Sequence, residues 1–240
     1  VSGNWTETGG TTFEATAGRF TFNAVGGDKT ITTDANAAGT ENKFFDLFIN
    51  PGGGNTVIAG SALDIDGDFA LTTGTFNPGI FEHDVAGDWT ETVGTTFEAT
   101  AGKFTFSGVN KTITTDANAA GTENKFFNLT ISGNPVNAGS DLDIDGDFAL
   151  TAGSFDPATF SHDVNGNWDG SGGIFQATNG TITLSGGATK TIKTNINNKF
   201  NNLTIDGTVE TSSANDIEIG GVLDVNVSKT LTVAAGDQLT

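Results

Sequence analysis

The 240-residue chain has no cysteine, no methionine and no tyrosine, and it has only four prolines. Without cysteine there are no disulfides and no thiolate metal sites. The absence of methionine implies that a leader or a larger precursor precedes the chain, although nothing in it resembles a signal peptide. No apolar run approaches the ~18 residues that cross a bilayer, so membrane insertion is not expected. Positive charge is scarce: 10 basic residues face 29 acidic ones, a formal net charge of −19. Such a surface repels phosphate backbones and anionic lipid, which argues against nucleic-acid and membrane-surface partners. Arg19 is the sole arginine, and that scarcity disfavours a polyanionic substrate. No segment keeps a helical period, and no serine sits in a nucleophile motif.

What the chain does have is repetition. KTITTDANAAGTENKFF at Lys29–Phe45 returns unchanged at Lys111–Phe127, and LDIDGDFALT at Leu63–Thr72 returns at Leu142–Thr151. A Val-x-Gly-Asx-Trp tag marks Trp5, Trp89 and Trp168. One unit of about 80 residues is thus copied in tandem, and the copies read 1–84, 85–163 and 164–240. Their length differences fall in turns.

Inside each copy the apolar period is two. Phe104 and Phe106 share one side of KFTF, and Leu129 and Ile131 share one side of NLTI. LDIDGDFAL reads as Leu142, Ile144, Phe148 and Leu150 inside with Asp143, Asp145 and Asp147 outside. This alternation predicts half-buried strands separated by Gly/Asn/Asp/Ser turns. The 19 phenylalanines have no polar end and belong inside.

Two all-β architectures fit. One is a parallel β-solenoid, with coils of ~20–25 residues and a rod of about 50–60 Å. The other is three tandem β-sandwiches. No linker separates the copies, and the rows of Phe and Ala suit stacking on like coils. Both points favour a single continuous solenoid over 1–240.

The succession Gly-Asx-Trp-Thr, Gly-Thr-Phe-x-Ala, Phe-Thr-Phe, Lys-Thr-Ile-Thr, Phe-x-Asn-Leu-Thr-Ile and Leu-x-Ile-x-Gly-x-Phe resembles the Gly/Asn/Thr-rich β-solenoid repeats of secreted microbial surface proteins. These include adhesins and autotransporter stalks. The resemblance covers all three copies. It implies an extracellular or cell-surface location and a stalk, adhesive or fibre role, and it brings no catalytic residues.

Several groups are candidates for chemistry. Asp64, Asp66 and Asp68, and likewise Asp143, Asp145 and Asp147, read as carboxylates in a row on one strand face. Oxygen ligands of that kind suit Ca²⁺, although alternate residues ~6.6 Å apart allow one ion to bridge two at most. The competing reading is a solvated face. Thr30/Thr32 and Thr112/Thr114 are outward pairs of the type found on ice-binding surfaces, and they also suit ordinary strands. His83-Asp84 and His162-Asp163 are neighbours that face opposite ways, so they form no dyad and read as turn or surface residues. Lys43, Lys125 and Lys199 recur at one position and read as ion-pairing groups, with an isopeptide crosslink as the sharper alternative. The tryptophans read as core, with sugar stacking as the alternative. Six glycosylation sequons, at Asn4, Asn110, Asn128, Asn179, Asn202 and Asn226, follow from the abundance of Asn and Thr.

The sequence therefore points to a non-enzymatic solenoid without a cofactor, Ca²⁺ aside. The expected role is a subunit of an extracellular filament or stalk that joins copies of itself head to tail through uncapped strand edges. The alternative is an adhesin segment that binds carbohydrate or a surface.

Overall fold

The structure is a computed structural model that describes residues 1–34, 42–52, 54–97, 99–116, 124–212 and 216–240. It is all-β, with thirty short strands and no helix among the described residues. Strands pair in parallel with the strand one coil further on. Lys43–Phe44 bonds to Asp64–Ile65, which bonds to Glu82–Val85, which bonds to Lys103–Phe106. Three strands make one turn of a β-solenoid.

The three faces are equally deep. Two five-stranded sheets, linked through Phe126 and Ile144, form the first; a ten-stranded sheet forms the second; a seven- and a three-stranded sheet, linked through Ser154 and Ile174, form the third. At a spacing of ~4.8 Å, ten strands span about 43 Å. The ladders cross both copy boundaries inside strands, Glu82–Val85 and Ser161–Val164. The solenoid reading holds, and the tandem-sandwich alternative does not.

Alternation puts one side of each strand into the core. In Lys103–Phe106, Phe104 and Phe106 are buried while Lys103 and Thr105 remain partly exposed. At the corners the chain leaves the ladder, and some backbone N–H groups lose their carbonyl partners. Asx side chains replace these. Asp46 Oδ1 accepts the N–H of Asp68 (3.0 Å), Asp68 Oδ1 that of Asp88 (2.9 Å), and Asp88 Oδ1 that of Thr112 (2.8 Å). The equivalent column in the next copy runs from Asn128 to Asp147, Asn167 and Thr191. Corner glycines allow this close stacking: a Cβ on Gly87 would lie 1.9 Å from the Gly67 carbonyl oxygen.

The copies are not a whole number of turns. From Trp5 to Trp89 the chain advances by ten strands and the bridged segment around Glu14; from Trp89 to Trp168 it advances by ten strands and the bridged segment at Phe126. Eleven steps at three per turn leave each copy one face out of phase with the last. Trp5 therefore lies on the first face, Trp89 on the third and Trp168 on the second.

Each tryptophan is an aromatic hub. Trp89 stacks on Phe69 (3.9 Å between ring centroids) and meets Phe97, Phe104 and Phe126 edge-on or tilted. Trp168 stacks on Phe148 at 4.2 Å and meets Phe175 and Phe200. Trp5 meets Phe13, Phe20 and Phe44. Trp89 and Trp168 are fully buried, while Trp5 is half-buried. Some phenylalanines depart from the expected interior position: Phe48 faces out, beneath the Arg19 guanidinium at 3.7 Å.

Candidate functional site

The acidic string is not one strand. Asp64–Ile65 belongs to the second face and Phe69–Leu71 to the third, so the chain turns a corner at Asp66-Gly67-Asp68. Asp143–Ile144 and Phe148–Leu150 turn the equivalent corner between the first and second faces. The three carboxylates therefore do not stand in a row, and each has its own surroundings. Asp66 pairs with Lys43 at 2.6 Å, and Asp145 pairs with Lys125. Asp68 and Asp147 belong to the Asx columns. Asp64 sits in register with Asp84, and Asp143 with Asp163. Burial, reinforced by neighbouring carboxylates, pushes both Asp64 and Asp143 up to about 6, against the pull of Lys43 and Lys125. Among the described residues, no three acidic or histidine side chains gather in a metal-holding group.

The histidines are not at the surface. His83 is 2% exposed. Its Nδ1 accepts the Leu63 N–H (3.1 Å), so Nε2 carries the proton and donates to the Pro78 carbonyl (2.9 Å). His162 repeats this with Leu142 and Pro157. Burial lowers the His83 pKa to about 4 and lowers that of His162. The sequence reading failed here because it counted imidazole as polar; with both nitrogens bonded to backbone it packs flat on Phe104, 4.6 Å away.

Lys199 pairs with Glu218 at 2.9 Å, so all three recurrent lysines meet a carboxylate of the next coil. The Thr-x-Thr pairs form no continuous ladder: Thr32 is in register with Thr6 and Thr114 with Thr90 on the preceding coil, but on the following coil Thr30 neighbours Ile58 and Thr112 neighbours Asn137.

A buried clasp escaped the sequence reading. Glu91, 5% exposed, accepts the Trp89 indole N–H (2.7 Å) and the Asp116 backbone N–H (3.1 Å). Asn124 donates to the Asp116 carbonyl and accepts the Phe97 N–H. Together they tie Asp116 to Asn124 on either side of 117–123. Asp34 and Asn42 do the same for 35–41, and both inner segments lie outside the described residues. Burial pushes the Glu91 carboxyl up to about 7, although both hydrogen bonds favour its charged form. In copy three Gly170 takes this place, and Asn198 donates to its carbonyl (2.6 Å). The available signal was Trp-x-Glu at Trp5 and Trp89, in the two copies that carry the string DANAAGTENKFF.

An open depression lined by Asn23, Val25, Asn50, Pro51 and Thr73 contains no titratable group. The two ends of the stack differ from its sides. Trp5, Phe13 and Phe20 at the lower end and Leu223 and Leu231 at the upper end are only partly buried, and Leu239 is 39% exposed.

Comparisons with protein-family models, curated proteins and solved structures find no match.

Proposed function

We propose that this protein is a structural rod, a subunit of an extracellular filament or cell-surface stalk that joins end to end through its open strand edges. The observation that carries this reading is the continuity of the stack. Three faces, each ten strands deep, run through both copy boundaries without a break. Unpaired parallel edges are templates for another strand, and a head-to-tail contact that does not close builds a filament. The acidic surface keeps such rods apart sideways. Electron microscopy and light scattering over a concentration series test the reading. Rods that lengthen with concentration are expected; single short rods at every concentration overturn end-to-end assembly.

A further inference from the structure

We propose that each junction between copies is a pH-sensitive joint, in which two carboxylates on neighbouring coils, Asp64 with Asp84 and Asp143 with Asp163, share one proton, so that the joint tightens in mild acid and loosens as pH rises. The joint lies inside one molecule and owes nothing to how molecules associate.

The ladders place these residues face to face. Asp64 is in register with Asp84, and Asp143 with Asp163, on strands ~4.8 Å apart. Asp84 and Asp163 belong to Glu82–Val85 and Ser161–Val164, the strands in which the stack crosses from one copy to the next. Each junction therefore carries one pair. His83 and His162, on the same strands, point the other way into the core.

The cations nearby are committed elsewhere. Lys43 is in register with Asp64, but its Nζ lies 2.6 Å from Asp66. Lys125, one coil below Asp143, likewise gives its Nζ to Asp145. Lys103, on the strand above Asp84, pairs with Glu82 at 3.0 Å. Beyond the pairs each column continues with an uncharged residue, Thr105 or Thr183. At the first junction Asp64, Asp66 and Asp84 thus share one lysine, and Glu14 acts on that lysine too. At the second, Asp143, Asp145 and Asp163 share Lys125, and Asp206, itself paired with Lys229 at 3.4 Å, adds its field at Asp163. Carboxylates this close do not all ionise.

Donors are short as well. Ser107 donates to Asp84 Oδ1 (2.6 Å), but Asp163 Oδ1 is buried without a hydrogen-bond partner. A proton shared with Asp143 supplies the missing donor. Among the described residues no three such side chains gather to hold a metal ion, whereas a proton needs only two.

Burial, with help from neighbouring carboxylates, raises all four groups above the usual aspartate range and holds Asp64 and Asp143 at about 6. The unfolded chain, with aspartate near 3.9, has lost its protons by then. The stabilising contribution is therefore complete below about pH 4 and is lost as pH rises through 6. The four groups are half-exposed, and screening by water leaves about a tenfold fall in the folding equilibrium constant per junction.

Melting temperature against pH tests the joint in the wild type and in Asp64→Asn/Asp143→Asn, which keeps the side-chain shape without the charge. His83 and Glu91 titrate in both proteins and cancel in the comparison. The variant is expected to melt level with the wild type at about pH 5 and above it at about pH 8. Parallel curves, or a variant that melts lower at about pH 8, overturn the shared proton. Carboxyl-carbon NMR of the wild type reads the same groups without a substitution. Two aspartate resonances titrating near pH 6 are expected, and aspartates that all titrate below about pH 5 overturn the proposal. Millimolar Ca²⁺ that raises the wild-type melting temperature at about pH 8 as far as the substitution does also overturns it, since the pairs then hold a metal.

Discussion

Two buried titratable residues, His83 and Glu91, pull stability in opposite directions with pH. His83 titrates near 4 in the fold and near 6.5 unfolded. The unfolded chain binds the proton first, so the stability from neutral His83 is complete above pH 6.5 and is lost as pH falls towards 4. Glu91 titrates near 7 in the fold against 4.5 unfolded. Its contribution is complete below 4.5 and is lost as pH rises through 7. Glu91→Gln should therefore abolish a slope in stability between pH 4.5 and 7 worth about 3 kcal/mol, read as melting temperature against pH for both proteins. If the two curves stay parallel, Glu91 does not titrate in this way. His83→Leu strips the buried Leu63 N–H and Pro78 carbonyl of their partner and should cost about 3 kcal/mol in urea unfolding.

At the scale of the element, the corner is what distinguishes this solenoid. Its strands are short, and each coil is closed by a side chain of the coil before. Asp88→Ala leaves the Thr112 N–H without its 2.8 Å acceptor and should cost about 1 kcal/mol. Asp88→Asn keeps an oxygen at that point and should be near neutral. Gly87→Ala drives a methyl group into the Gly67 carbonyl and should cost about 3 kcal/mol or prevent folding. Denaturant midpoints rank the three. The strands themselves were legible in the sequence, because Phe104/Phe106 and Leu129/Ile131 alternate cleanly. The corner inside Leu-Asp-Ile-Asp-Gly-Asp-Phe was not. There the inward pattern Leu142, Ile144, Phe148, Leu150 continues in phase across the bend, so period two hides the change of face. The Asp68 and Asp147 bonds were hidden too, since their partners are about 20 residues away in sequence. The Glu91 clasp needed the knowledge that its side chain points inward, where charge is normally excluded.

At the scale of the whole molecule, stability is a sum over coils and their contacts. Inserting a further copy of about 80 residues should lengthen the rod by about 18 Å, three and two-thirds coils at ~4.8 Å each. Small-angle scattering of a four-copy chain measures this; a bent or branched profile speaks against a continuous stack. On the proposed filament reading, the net charge of −19 opposes the approach of two molecules, so assembly is expected to quicken as salt rises from 0.01 M to 0.15 M and the Debye length falls from about 30 to 8 Å. An assembly rate indifferent to salt would show that the acidic coat plays no part.

Eleven strands per copy and three per turn share no common factor. A feature borne once per copy therefore climbs the rod as a spiral stair, each tread a third of a turn from the one below. A flat surface laid along the rod meets one copy in three, whereas a ring closed around it meets all of them in turn.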